Sequence, residues 1–535
     1  MKRLARRSLL WTTLVTLGLA SACLPGGTAG PVAPPVNPGA FPTATMPAQQ
    51  QPSVLPEPHD SLKTLESPES QATSQAYLSL VSKPFQATAN PVNPAPGDSL
   101  STGQPATLPA YIPDSEIIFG PSALDFEITA YLQQAGGALF QHREYLASSG
   151  WTSAGDIVER VALENSVNPR LLLALLEYQC ACVLGSAVEP LQSGYVLGVE
   201  DYHWKGLYGQ LWWAANQLAA GFYGWHEGWL KELALPDGSL LQPAAGANPG
   251  SVALQVYFSR LWAAHDQSAK MGAQTWAALH PDAFGEIQWR QALDSQAGFT
   301  ALYQQMFGDP QERAALVEPL LPPDLHQPVL ILPFEPGRLW SFTSGPHKAW
   351  ERESSLAAVD FAPASDRTGC LETDAWVTAV GDGPVVRVGK GIVVQDLDGA
   401  PAGNHSSKSD RNEQTGWAIL YMHIASNEQV KPGTYLRAGQ RIGHPSCEGG
   451  PATGTHLHLA RKYNGMWVAA GGSVPLTLDG WTVQAGEQPY QGIMIKDGQV
   501  INARQYASFD SHISRPEDQP AGAPTGQPAS NDNDS

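Results

Sequence analysis

Apolar positions along this chain change texture four times. From 24 to 114 they show no period, and Pro, Ala, Ser, Thr, Gln and Gly dominate, as in Pro31-Val32-Ala33-Pro34-Pro35. Such a stretch buries too little apolar surface to offset its ordering entropy, so a disordered tether is predicted there. Between 115 and 320 the pattern turns helical. Asp156-Ile157-Val158-Glu159-Arg160-Val161 and Pro169-Arg170-Leu171-Leu172-Leu173-Ala174-Leu175-Leu176-Glu177 are good helix formers, with Pro169 suited to a first turn. Trp212 to Ala220 and Val252 to Phe258 continue the theme, predicting an all-α domain rich in tryptophan, with Leu321-Pro322-Pro323-Asp324 as a hinge. From 330 to 485 the runs shorten. Trp376-Val377-Thr378-Ala379-Val380, Pro384 to Val388 and Ile392 to Leu397 are punctuated by Gly and Asp, which predicts antiparallel strands joined by tight turns. Residues 516–535 return to Pro, Gly, Asn and Asp and are predicted to be disordered. The expected fold class is multidomain α+β, a helical domain followed by an antiparallel sheet.

With 535 residues, 42% of them hydrophobic, the chain suffices for two or three domains, although 45 Pro and 52 Gly mark much of it as connection. Lys2, Arg3, Arg6 and Arg7 precede an apolar run from Leu9 to Ala22, which reads as a secretory signal over 1–22. At about 14 residues the run falls short of the roughly 20 needed to span a bilayer. Removing the signal takes away four basic residues and no acidic ones, so a net charge of −19 becomes −23. Nucleic acid is excluded as a partner because its phosphates would be repelled.

The boundary Leu19-Ala20-Ser21-Ala22-Cys23 resembles a bacterial lipobox. The resemblance implies that Cys23 is lipidated and that the protein is an extracytoplasmic lipoprotein held to the outer surface of a cell membrane, each buried CH₂ contributing about 0.8 kcal/mol. Four other cysteines remain. Cys180 and Cys182 lie too close for an easy mutual bridge on a helix, where i and i+2 diverge. Cys370 and Cys447 are expected to pair with each other in the oxidising compartment.

Candidate chemistry concentrates in the β region. In Gly454-Thr455-His456-Leu457-His458-Leu459 the two histidines share one face of a strand, roughly 7 Å apart, while the leucines anchor the other. Upstream stand His347, Asp360 and His423, the last expected to leave its strand opposite Met422 and Ile424. Two histidines and an aspartate form a three-ligand set suited to Zn²⁺ with one position left for water. His405 and His444 are read as structural.

In order and local wording this set is similar to the lysostaphin/LytM-type zinc metallopeptidases that cut peptidoglycan peptides. The thirteen positions from His347 to Asp360 look like the LasA-like branch. Val430-Lys431-Pro432-Gly433-Thr434 and Ala438-Gly439-Gln440-Arg441-Ile442-Gly443 echo the family's wording before its H-x-H. The resemblance implies a LytM-type (duplicated-hybrid-motif-like) β domain with His347, Asp360 and His458 on zinc and His423 and His456 as catalytic residues flanking the water. It also implies peptidoglycan as the partner. The rival reading is a non-catalytic scaffold that binds the wall or activates an amidase.

The run from Asn168 to Glu177 resembles the opening of the lysozyme-like transglycosylase fold, which implies Glu177 as a general acid. The residues Tyr178-Gln179-Cys180 that follow depart from that pattern. Glu177 also reads as a simple helix-end residue. Trp204, Trp212, Trp213, Trp225 and Trp229 suit sugar stacking, but core packing accounts for most such residues.

Overall fold

The computed structural model describes residues 111–517 except 235–239, 273–290, 295, 351–352, 366–367 and 400–411. Cys23, the signal segment, nearly all of the tether and residues 518–535 lie outside the described residues.

The helical region holds α1 (Ile128–Ala135), α2 (Ala154–Asn165), α3 (Pro169–Cys180), α4 (Leu207–His226), α5 (Pro249–Gly272), α6 (Phe299–Phe307) and α7 (Pro310–Val317). Its caps follow from sequence. The Ser153 side chain accepts from the Asp156 N–H at the start of α2, and Asn168 accepts from the Arg170 N–H at the start of α3, where Pro169 costs no intrahelical bond. Leu171 through Leu176 are all fully buried, so α3 is enclosed on every side. The all-α expectation is corrected. Two hairpins, Arg143–Leu146 with Gly150–Ser153 and Leu233–Ala234 with Leu240–Leu241, belong to this region.

The principal sheet is antiparallel throughout. Its strands are β1 (Leu339–His347), β2 (Ala358–Pro363), β3 (Gly383–Gly389), β4 (Gly391–Asp396), β5 (Trp417–Ile424), β6 (Tyr435–Leu436), β7 (Leu457–Tyr463) and β8 (Met466–Trp467). A second sheet holds β9 (Thr477–Leu478), β10 (Trp481–Ala485), β11 (Gly492–Lys496) and β12 (Gln499–Asn502), and β13 (His512–Ser514) returns to the first. Spatial order in the large sheet is β6-β3-β4-β5-β7-β2-β1-β13, with β8 on β7. The β region therefore does not end at Ala485. Asp497 and Gly498, both at positive φ, form the tight turn between β11 and β12, a turn that suits the right-handed strand twist.

Both faces of the large sheet are covered. Val359, Phe361, Ile419, Tyr421, Leu457 and Leu459 point into one core with Val483 and Met494 of the second sheet. Ala358, Ala418, Leu420, Met422 and Ala460 point the other way, into a core continuous with Leu172, Leu211 and Tyr223 of the helical region. Enclosure on both faces explains why every residue of β5 is buried. The two regions thus share a core, and the expected hinge at 321–324 is tied in, since the Leu320 carbonyl accepts from the Asn464 side chain at 3.0 Å.

Candidate metal centre

Three neighbouring strands carry the centre. Asp360 of β2 lies directly opposite His458 of β7, and His347 closes β1 beside β2. The period-two alternation sends Asp360 and His458 to the face shared with Ala358 and Ala460, toward the helical region. The side chains of His347, Asp360 and His458 are all buried, at 5%, 7% and 6% exposure.

Each of the two histidines has one nitrogen already engaged. His347 donates from Nδ1 to the Gly345 carbonyl at 2.9 Å, and His458 donates from Nε2 to the Ala349 carbonyl at 3.0 Å. Those bonds fix the tautomers and turn the remaining lone pairs inward. His347 Nε2 then stands 3.0 Å from His458 Nδ1. The two nitrogens lie 3.3 Å and 3.2 Å from Asp360 Oδ1. A tetrahedral ion with bonds of about 2.0–2.1 Å has ligand-to-ligand edges of about 3.3 Å. Asp360 Oδ1 is buried without a hydrogen-bond partner among the described residues. Three inward electron pairs at these separations repel unless a positive charge lies among them, so the residues fit a divalent ion.

The electrostatics agree. Burial opposes charge on His347, but the Asp360 carboxylate outweighs it and lifts the imidazole above its ordinary range. Burial would raise Asp360 too, yet His347 and His458 hold it well below the usual carboxylate range. Burial alone dominates at His458 and pushes it down.

His423 and His456 complete a ring of imidazoles, their centroids 4.3 Å apart. His423 donates from Nδ1 to the Glu448 carbonyl at 2.8 Å, and His456 from Nδ1 to the Gly454 carbonyl at 2.8 Å. His456 Nε2 lies 3.9 Å from Asp360 Oδ1. The expected placement of His423 by simple alternation is corrected. A bulge between Met422 and Ile424 shifts the phase, and His423 adopts φ 63°, the left-handed region. Ile424 consequently joins the Tyr421 core, while His423 turns to the histidine cluster. Burial, followed by the charge on His456 and His458, pushes His423 down to about 4.

Tyr490 was not legible in the sequence. Its ring stacks on His347 at 4.6 Å and 19°, its N–H donates to the Pro346 carbonyl, and its own carbonyl accepts from the Gly345 N–H. A side chain at Gly345 would meet the Gln491 backbone at 2.4 Å, so this interlock requires glycine. The Asp497-Gly498 pair was the signal that the fold continued past 485.

A cavity of about 410 Å³ is lined by Leu371, Glu372, Glu428, Ser446, Glu448 and Thr455 among others. Cys370 and Cys447 on its wall are joined at 2.03 Å. His444 donates to the Ala375 carbonyl and packs on Trp376.

Glu177 lies elsewhere. Its Oε2 accepts from the Val183 and Leu184 N–H groups at 2.8 and 2.9 Å, while burial raises its pKa above the ordinary carboxylate value. Those bonds tie it to the loop that follows α3. The same loop corrects the cysteine expectation. Cys180 ends α3, Ala181 turns left-handed at φ 48°, and Cys180 and Cys182 are bonded. The divergence expected on a helix does not apply where the helix stops.

Residues 110–322 match the family model described as LasA, N-terminal domain. The chain is 25% identical over 380 residues to Protease LasA of Pseudomonas aeruginosa strain PAO1, which covers 67% of this chain and 75% of that protein. Protease LasA of strain UCBPP-PA14 is 24% identical over 367 residues, with the same coverage. Among solved structures, "A Novel M23 Metalloprotease Pseudoalterin from Deep-sea" is 21% identical, covering 33% of this chain and 96% of that one at a TM-score of 0.27. The chain is thus similar to Protease LasA over two thirds of its length.

Proposed function

We propose that this protein is a zinc metalloendopeptidase that hydrolyses peptide bonds of peptidoglycan outside the cytoplasm. The observation that carries the reading is the convergence of three atoms able to ligate a metal, His347 Nε2, His458 Nδ1 and Asp360 Oδ1, at 3.0 to 3.3 Å. A zinc ion held by them supplies Lewis acidity and makes water nucleophilic near neutral pH. His423, kept neutral by burial and neighbouring imidazoles, presents Nε2 as a proton acceptor because its Nδ1–H is committed to Glu448. His456, fixed the same way by Gly454, flanks the reacting carbonyl from the cavity side. The cavity lined by Thr455 and Glu448, the first next to His456 in the chain and the second bonded through its carbonyl to His423, offers room for an extended peptide. The basic start, apolar run and Cys23 support export and lipid attachment. Glu177, whose Oε2 accepts from two backbone N–H groups, is given no glycosidase role in this proposal.

The test uses the full chain and its His458→Ala variant. Elemental analysis should give about one zinc per wild-type chain and none in the variant. New amino termini should appear by mass spectrometry when purified peptidoglycan is treated with the wild type alone. Zinc binding without new termini in peptidoglycan would remove the wall substrate, and absence of zinc would favour the scaffold.

A further inference from the structure

The connection between β1 and β2 begins at the ligand candidate His347 and leads to Asp360. It also supplies the Ala349 carbonyl that orients His458. Within it the Ala349 N–H donates to the Ser355 carbonyl, and the Trp350 N–H donates to Ser354 Oγ. These bonds tie the two halves of the connection together, and from the β region the Ala470 N–H donates to the Leu356 carbonyl. Both ends meet the same corner of the helical region, just after α4. At the first end, Lys348 Nζ sits 4.0 Å above the Trp229 ring. At the second, the Leu356 N–H donates to Glu227 Oε2 at 3.2 Å. Trp350 and Ala357 continue the seam into the shared core.

We propose that this corner is a positioning element of the metal centre. Trp229 and Glu227 hold the β1–β2 connection by its ends, and through it they set the Ala349 carbonyl and the His347 ring in the geometry that receives the ion. The inference rests on the zinc reading above. It assigns the helical region a part in the chemistry without any residue of that region touching the metal. Groups one step removed from a metal fix the ligands' tautomer and direction, and their loss weakens binding even when every ligand remains.

The experiment measures zinc affinity of the full chain by competition with a chromogenic chelator. Trp229→Leu and Lys348→Met each remove the ring–ammonium contact from a different side and should weaken zinc by about tenfold, within the range for such outer groups. Trp229→Phe and Lys348→Arg keep a cation over an aromatic face and should stay within about threefold of wild type. Tyr223→Phe loses the acceptor for the Trp467 N–H elsewhere on the same interface. It should lower the thermal midpoint and leave zinc affinity unchanged. Wild-type affinity in both Trp229→Leu and Lys348→Met overturns the proposal, and so does an equal loss in Tyr223→Phe. A wild-type chain that binds no zinc defeats the metal reading itself.

Discussion

The two faces of the large sheet are built from the same strands to opposite ends. Val359, Phe361, Leu457 and Leu459 look into the inner core, where bulk and shape matter. One residue along each strand, Asp360 and His458 look out with Ala358 and Ala460, where small side chains let the helical region approach and polar ones carry the site. The lesson is that a period of two allows one short segment to specify stability and chemistry independently, provided the register does not slip.

Further along the outer face the comparison can be broken most forcefully at Glu413. Its carboxylate accepts from Arg387 and from Lys462 at 2.8 Å, with Glu413 and Lys462 buried and Arg387 partly so. Glu413→Gln leaves two cations without their partner and should destabilise the chain by about 3–5 kcal/mol, read from urea unfolding at pH 7. Burial works against ionised Glu413, but Arg387 and Lys462 prevail and hold it at about 2, below its ordinary 4.5. Its folded value being depressed, its contribution is present above pH 4.5 and fades as pH falls toward 2. The wild type and Glu413→Gln should therefore converge in stability across that window. A gap that persists at pH 2 would show that shape, not charge, was lost.

A smaller effect is expected on the inner face. Leu459→Ala should cost about 3 kcal/mol through the cavity it leaves. Zinc content should stay at the wild-type level, because the side chain points away from the ligands. Loss of zinc there would mean that the two faces are not independent. Least costly is Ala460→Leu, which overfills the seam between sheet and helices and should cost about 2 kcal/mol. Its companion readout is zinc affinity, which should weaken if the helical region must sit close to order the ligand loop.

Much of this was legible in local sequence. Leu457 and Leu459 anchor β7 as their alternation implied. Pro169, suited to a first turn, marked the start of α3. His347, Asp360 and His458 meet because three strands lie in the order β7-β2-β1, which no local spacing encodes. The bulge at His423 escaped the alternation argument because an extra residue looks like any other until its partner strand is known. The shared core was hidden in alanines. Ala358, Ala418 and Ala460 read as unremarkable in a strand, yet their small size is what admits a second layer. Tyr490 lay beyond a boundary drawn too early, at Ala485, where the strand from Trp481 ends in two exposed residues.

The last strand bears on how the chain can be divided. β13 pairs its three residues with Leu339, Trp340 and Ser341, closing the margin of the sheet at the strand that ends in His347. A piece cut at the apparent end of the β pattern would keep every candidate ligand. It would also bare a row of backbone donors and acceptors along β1, a template for joining one copy to the next. Self-association of such a piece would reflect the missing Ile513, whose side chain fills the inner core, as much as any property of the catalytic residues.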